Sequence, residues 1–232
     1  MRIAVVLGLL AALGQEPPPL HVVLISGSKE YRSERSLISL QEQLEKTGRV
    51  KCSRAFGEDK GTSLPGLEAL ATADVLVVFA RRISVPPQDL ERLKAFCAAE
   101  KGIVGLRTAS HAFQTWLEFD KEILGGDYKG HFGDLQVAVA NVKDHPVLAG
   151  VAPFTSPDHK LYKNPSPAAD VVVLQRGTAP GADEPVTWVR EHKGRHVFYT
   201  SLGTPDDFKN ESFRRLLANA VFWAARREPP PR

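Results

Sequence analysis

The feature that most constrains this chain is an alternation of two patterns. Continuous apolar runs, each ending at polar loop residues, take turns with segments whose apolar residues recur at helical spacing. His21 to Ser26 is apolar through its interior and stops at Gly27, which suits a central strand covered on both faces. Leu37, Leu40 and Leu44 then form a helical stripe, with Gly48 as its stop. Val50 to Ala55 is a short strand-like run. Asp74 to Ala80 reads as a strand, Pro87 to Glu100 as a helix opened by proline, and Gly102 to Leu106 as a strand again. Strands that alternate with helices in this way predict an α/β fold with a mostly parallel, doubly wound sheet.

Downstream the alternation loosens. Leu135 to Ala140, Asp170 to Gln175, Val186 to Arg190 and Val197 to Thr200 read as strands, the last two paired as a hairpin through the turn around His192 to Gly194. Phe213, Leu216, Leu217, Ala220 and Ala224 mark the apolar face of a closing helix from about Glu211 to Ala225. With 232 residues, no internal repeat and no linker, the expectation is one domain over residues 21–227, followed by a disordered tail, 228–232.

The N-terminus reads differently. Arg2 supplies a positive start, Ile3 to Leu13 is unbroken and apolar, and Ala12-Leu13-Gly14 is a small-x-small site, so residues 1–14 have the outline of a signal peptide. The run is well short of the roughly 20 residues a spanning helix needs. Residues 15–20, with Pro17 to Pro19, read as a spacer. The expected destination is outside the cytoplasm, periplasmic or secreted, without stable membrane insertion. A net charge of +3 without any basic block gives no footprint for nucleic acid. Two cysteines build neither a disulfide framework nor a Cys-based zinc site, and Cys52 and Cys97 read as small apolar fillers.

In open parallel sheets ligands bind beyond the carboxyl ends of the strands, so the loops there carry the functional candidates. Ser26 to Arg32, with Glu30 and Tyr31, is the first, although its composition also suits a solvated turn. Val104 to Phe113 is the most informative: a strand runs straight into Arg107, Thr108, Ser110 and His111 at the expected start of a helix. Amides at such an elbow can bind an anion or oxyanion, and a histidine there can exchange protons. The competing reading makes Ser110 a helix cap and His111 a core group, since no acidic neighbour orients the imidazole. In Gly125 to Asp134, four glycines surround Asp127, Tyr128, Lys129 and His131, without the spacing of a phosphate loop. Asp158 to Tyr162 and Tyr199 to Phe208 complete the set. Asp206 and Asp207 suit sugar hydroxyls, or equally the capping of the last helix.

Six segments in order, GLRTASHAF, GGDYKGH, HPVLAGV, DHKLYK, EPVTWVRE and GRHVFYTSLGTPDDFKNESFRRLLANAVFWA, together resemble the ThuA-like, trehalose-utilisation family. The resemblance covers nearly all of the chain after the N-terminal run. It implies a three-layer α/β/α sandwich like the class I glutamine amidotransferases, a flavodoxin-like arrangement, with Gly105-Leu106-Arg107 at the elbow that carries cysteine in true amidotransferases. A guanidinium stays protonated and cannot attack, so glutamine hydrolysis by a thiol is not expected. Many members carry histidine where this chain has Arg107, and many carry histidine where it has Thr204.

The resemblance further implies a carbohydrate as small-molecule partner and an enzyme that cleaves or rearranges a glycoside, either a disaccharide or a 3-keto glycoside. His111 and His131 are then the proton-transfer candidates and Arg107 the third catalytic candidate, while Glu30, Tyr31, Ser110, Asp127, Tyr162, Thr204 and Asp206 place the sugar. A second reading is a noncatalytic sugar-binding protein of the same fold. A third assembles a divalent-metal site from His111 and His131 with Asp127 or His159, without the local ligand spacing such sites favour. Homodimerisation is expected only from the frequency of dimers.

Overall fold

A computed structural model describes residues 17–229; the expected signal peptide and the last three tail residues lie outside them. Nine strands form one sheet in the order β2-β1-β3-β4-β9-β8-β7-β5-β6. Its first half comprises β1 (Leu20–Gly27), β2 (Val50–Phe56), β3 (Val75–Ala80), β4 (Gly102–Leu106) and β9 (Arg195–Thr200), all parallel. Its second half, β5 (His131–Asn141), β6 (Phe154–Tyr162), β7 (Val171–Ala179) and β8 (Ala182–His192), joins through antiparallel pairings only. The sheet is therefore parallel across five strands and antiparallel beyond them. The change occurs where helical crossovers give way to short connections, which can only join antiparallel neighbours.

Side chains along the parallel strands alternate between two cores. Val22 and Leu24 pack with Leu37, Leu40 and Leu44 of α1 (Ser33–Glu45) and with Phe213, Leu216 and Leu217 of α3 (Glu211–Ala224). Val23 and Ile25 pack with Leu93, Phe96 and Cys97 of α2 (Pro87–Ala98) on the other face. This explains the continuous apolar runs: a strand buried on both faces has no polar phase, and each such side chain contributes on the order of 2 kcal/mol.

Two local features stem directly from their residues. Lys193 (φ 48°) and Gly194 (φ 74°) both take positive φ and close the β8–β9 hairpin in two residues, as the twist of the flanking strands favours. Residues Asp158 to Tyr162, expected as loop, belong to strand β6. The proline and polar residues of Phe154–Tyr162 are tolerated because β6 is an edge strand, where a missing ladder donor costs nothing.

Candidate functional site

The carboxyl ends of β1, β3, β4 and β9 converge with the start of β5 and the end of β6, bringing most of the candidate residues to one rim. At its centre the chain turns sharply from β4 into Arg107, whose φ is +46°, a conformation a side chain rarely adopts. The next element is a 3₁₀ turn of five residues, Arg107–His111, and not the expected helix. The chain is instead drawn sideways onto the exit of β3: Arg82 N donates to His111 O (2.8 Å) and Ile83 N to Ala112 O (2.7 Å). The expected anion site at a helix N-terminus is accordingly absent from the elbow.

Arg107 is fully buried. Its Nη1 donates to Ser201 O (2.6 Å) and its Nη2 to Tyr31 Oη (3.2 Å) and Lys160 O (3.4 Å). The guanidinium carbon lies 4.3 Å from the Tyr31 ring centroid and 4.8 Å from that of Tyr162, within cation–π range. The arginine at the elbow thus binds four segments together and presents no group to solvent.

Beside it, His111 is half-buried and stacks on Tyr128, with centroids 4.8 Å apart; Tyr128 in turn meets Tyr162 at 4.6 Å. Ser110 Oγ lies 3.0 Å from His111 Nδ1 and 3.5 Å from Arg107 O. With the hydroxyl donating to that carbonyl, Nδ1 donates to Ser110 and Nε2 keeps its lone pair. Ser110 thus supplies the orientation for which the sequence offers no adjacent carboxylate. Burial, and then the charges of Arg82, Arg81 and Arg107, push the imidazole down to about 4, so His111 is neutral at pH 7.

The other candidates divide. Glu30, Tyr31, Thr204 and Asp206 line a cleft of about 690 Å³ together with Lys160 and Asp134. A cleft of about 840 Å³ adjoins it over Ser28, Arg32 and Glu58, sharing Arg32 and Arg35. Burial raises the Glu30 carboxyl, but Lys160 Nζ at 2.8 Å and Arg81 outweigh this and hold it below its ordinary range. Thr204 is buried with its hydroxyl engaged by Asp207 N (3.3 Å), while Asp207 Oδ2 accepts from Gly203 N and Thr204 N, both at 2.8 Å. Asp206 pairs with Lys209, and Asp127 with Lys129 at 2.9 Å. His131 is exposed at the rim, its ring 6.5 Å from Tyr162. Among the described residues no three histidine, cysteine or acidic side chains stand close enough to hold a metal ion, and the His159 side chain lies outside them.

Sequence reasoning passed over Arg81 and Arg82, although Phe79-Ala-Arg-Arg82 directly continues the apolar run of β3 and the strand-end rule points to it. It also passed over Asp120, whose spacing carries no signal. Asp120 is buried with Oδ2 accepting from Tyr128 N (3.0 Å) and Oδ1 unpartnered among the described residues, and it supports the glycine loop that carries Tyr128. Burial raises its carboxyl to about 6, with the Tyr128 hydrogen bond opposing. The folded state therefore holds this proton more tightly than the unfolded chain. Its cost to stability is nil below pH about 4, grows as pH rises through 6, and is full above, at roughly 2–3 kcal/mol. Asp120→Asn removes that titration. Its stability relative to wild type is expected to rise by roughly 2 kcal/mol between pH 4 and pH 8 in urea denaturation. A pH-independent difference would sink this account.

A parallel-to-antiparallel α/β sheet with a strained elbow at the end of β4 defines a protein of glutamine-amidotransferase-like fold in which arginine fills the elbow. A glutamine amidotransferase of Thermotoga maritima shares this fold at TM-score 0.53 and 12% identity, covering 89% of this chain and 98% of that one. Residues 21–224 match the family described as ThuA, trehalose utilisation, and the chain belongs to that family. Two ThuA-like proteins of solved structure are similar over 92% of the chain. One, from Parabacteroides merdae, has TM-score 0.72 and 18% identity, with 92% of it covered; the other, from Bacteroides uniformis, has 0.70 and 19%, with 94% covered. No curated protein matches the chain. Among the described residues no helix is long and apolar enough to cross a membrane.

Proposed function

We propose that the rim formed by His111, Tyr128, Tyr162 and the Glu30 cleft is a carbohydrate site, and that the protein cleaves or rearranges a glycoside there. The observation that carries this reading is the neutral His111, its Nδ1 held by Ser110, set against a tyrosine wall. A pyranose ring presents C–H faces that pack on aromatic rings and hydroxyls that need acceptors. Tyr128, backed by the buried Tyr162, meets the first need, and Glu30 meets the second. The Nε2 lone pair of His111 can then take a proton from a hydroxyl or from carbon next to a carbonyl, as native or 3-keto glycosides offer. Arg107 has no free face, so its part is to hold Tyr31 and Tyr162 in place, while His131 at the rim is the second proton-transfer candidate. Family membership supports the substrate class, and the two-sided core supports the three-layer α/β/α reading. The test is turnover of a panel of disaccharides and their 3-keto forms, with and without divalent metal, by wild type and by His111→Asn. Turnover by wild type alone supports the enzyme. Saturable sugar binding by both, without turnover, leaves a sugar-binding protein.

We propose also that the chain is exported, on the strength of Arg2, the Ile3 to Leu13 run and the Ala12-Leu13-Gly14 site. Protein purified from its native host is then expected to begin near Gln15, and an intact N-terminus refutes export.

A further inference from the structure

The helix N-terminus that the elbow lacks stands at the end of β1. Of the first four amides of α1, Ser33 N donates to Ser28 O and Ser36 N to Arg32 O, both at 3.1 Å. Glu34 N and Arg35 N have no acceptor among the described residues, and the Arg32 side chain at the N-cap supplies none. Ser33 is already engaged: its Oγ accepts from Gly27 N (3.2 Å) and Ser28 N (2.8 Å) and shares a hydrogen bond with Ser26 Oγ (2.7 Å). A helix end alone does not make a ligand site, but a second, independent observation points the same way. Ser28 is 2% exposed, and its Oγ is buried without a hydrogen-bond partner among the described residues. Its backbone N–H and C=O are both tied to Ser33, which holds it against the first turn of α1, and it lines the cleft of about 840 Å³ together with Glu34 and Arg35. A buried hydroxyl without a partner is costly, and a ligand oxygen at the helix end removes that cost. The charges of this cleft lean positive. Asp59 is held by Arg81 (3.4 Å) and by Lys29 N (3.0 Å). Among the described residues the exposed side chains of Lys29, Arg32 and Arg35 have no ion pair, and against them stand only the exposed, unpaired Glu34 and Glu58.

We propose that this cleft binds a phosphate monoester, its phosphoryl oxygens on the Glu34 and Arg35 amides and the Ser28 hydroxyl, with Arg32 and Arg35 as its cationic partners. The aligned peptide dipoles of α1 favour an anion at this end whatever the net charge of the cleft. The donors are more than a carboxylate can use: two amides, a hydroxyl and two guanidinium forks suit the three strongly accepting oxygens of a phosphoryl group, where a carboxylate has two. The site is separate from the His111 rim and does not depend on the carbohydrate reading. It adjoins the Glu30 cleft and shares Arg32 and Arg35 with it, which leaves room for the organic part of the ester.

The test follows the Glu34 and Arg35 amides of the full chain by NMR at constant ionic strength and about pH 7.5, where a phosphate monoester is close to a dianion. Inorganic phosphate, glucose 6-phosphate or D-glucuronate is titrated into wild type, into Ser28→Ala and into the double variant Arg32→Gln, Arg35→Gln. Both phosphates are expected to give saturable shifts with dissociation constants of about 1 mM or tighter, and glucuronate to bind about tenfold more weakly. Ser28→Ala should weaken phosphate binding about fivefold to tenfold while leaving the urea midpoint unchanged or higher, since the hydroxyl it removes has no partner in the free protein. The double variant should weaken phosphate binding about 30-fold or more. Tighter binding of glucose 6-phosphate than of inorganic phosphate shows that the organic part is held too, equal binding shows that the phosphoryl group carries the affinity, and both support the site. No saturable shift with either phosphate, glucuronate binding as tightly, or phosphate affinity unchanged in either variant overturns the proposal. Glycoside turnover is measured separately, so failure here leaves the carbohydrate reading standing.

Discussion

Arg107→Met is expected to lower the unfolding free energy by about 4 kcal/mol. The buried guanidinium satisfies Ser201 O, Lys160 O and Tyr31 Oη, and its charge faces the buried Asp207. Methionine fills much of the volume but leaves those acceptors dry and the Asp207 carboxylate uncompensated, and losing one member of a buried charged network costs more than the network's net worth. Arg107→Lys keeps the charge but loses the planar fork and the stacking between Tyr31 and Tyr162, so roughly half the loss is expected. Equilibrium urea denaturation at pH 7 measures both. A loss under about 1 kcal/mol for Arg107→Met would show that the elbow arginine is not the tie the geometry describes. The result also bears on the site, because Tyr31 and Tyr162 line or adjoin the rim and owe their placement to this one residue.

Replacing His111 with asparagine is expected to reduce turnover of the proposed glycoside substrate by at least 100-fold, the usual worth of a positioned general base. The pH profile is the sharper measurement. Because the imidazole is pushed down to about 4, it stays neutral from pH 7 to near pH 5, and the acid limb of kcat/KM should fall near 4 and not near 6.5. The same shift has a consequence for stability that does not depend on turnover. The unfolded chain binds the His111 proton below pH 6.5 and the folded chain only near 4, so stability falls as pH drops through that window, by on the order of 3 kcal/mol. His111→Asn lacks this group, and the gap in stability between wild type and variant should therefore move in favour of the variant between pH 7 and pH 4. An acid limb near 6.5, or a gap that does not change with pH, would mean that His111 is solvated and free to charge.

The two halves of the sheet were unequally legible. Runs such as Val75–Ala80 and Gly102–Leu106 are apolar because both faces are covered, and stripes such as Leu37, Leu40 and Leu44 mark the faces that cover them. These are consequences of short-range periodicity, so the parallel half could be read directly. Strand β6 could not, since an edge strand tolerates the proline and polar residues that in a central strand would forbid it.

The candidate site shows the same boundary. Sequence alone determined the parallel α/β core, the loops at which chemistry is to be sought, and the absence of a thiol at the elbow, because each depends on residue type and local spacing. Only the tertiary structure decided that Arg107 is a buried tie, that Ser110 orients His111, and that Asp120 supports the Tyr128 loop. Burial and charge compensation are properties of what several distant segments place together: Tyr31, Arg107, Lys160 and Ser201 meet around one guanidinium although long stretches of chain separate them. No local pattern encodes that meeting, and the balance between desolvation and charge that sets each group's chemistry exists only once the fold has closed.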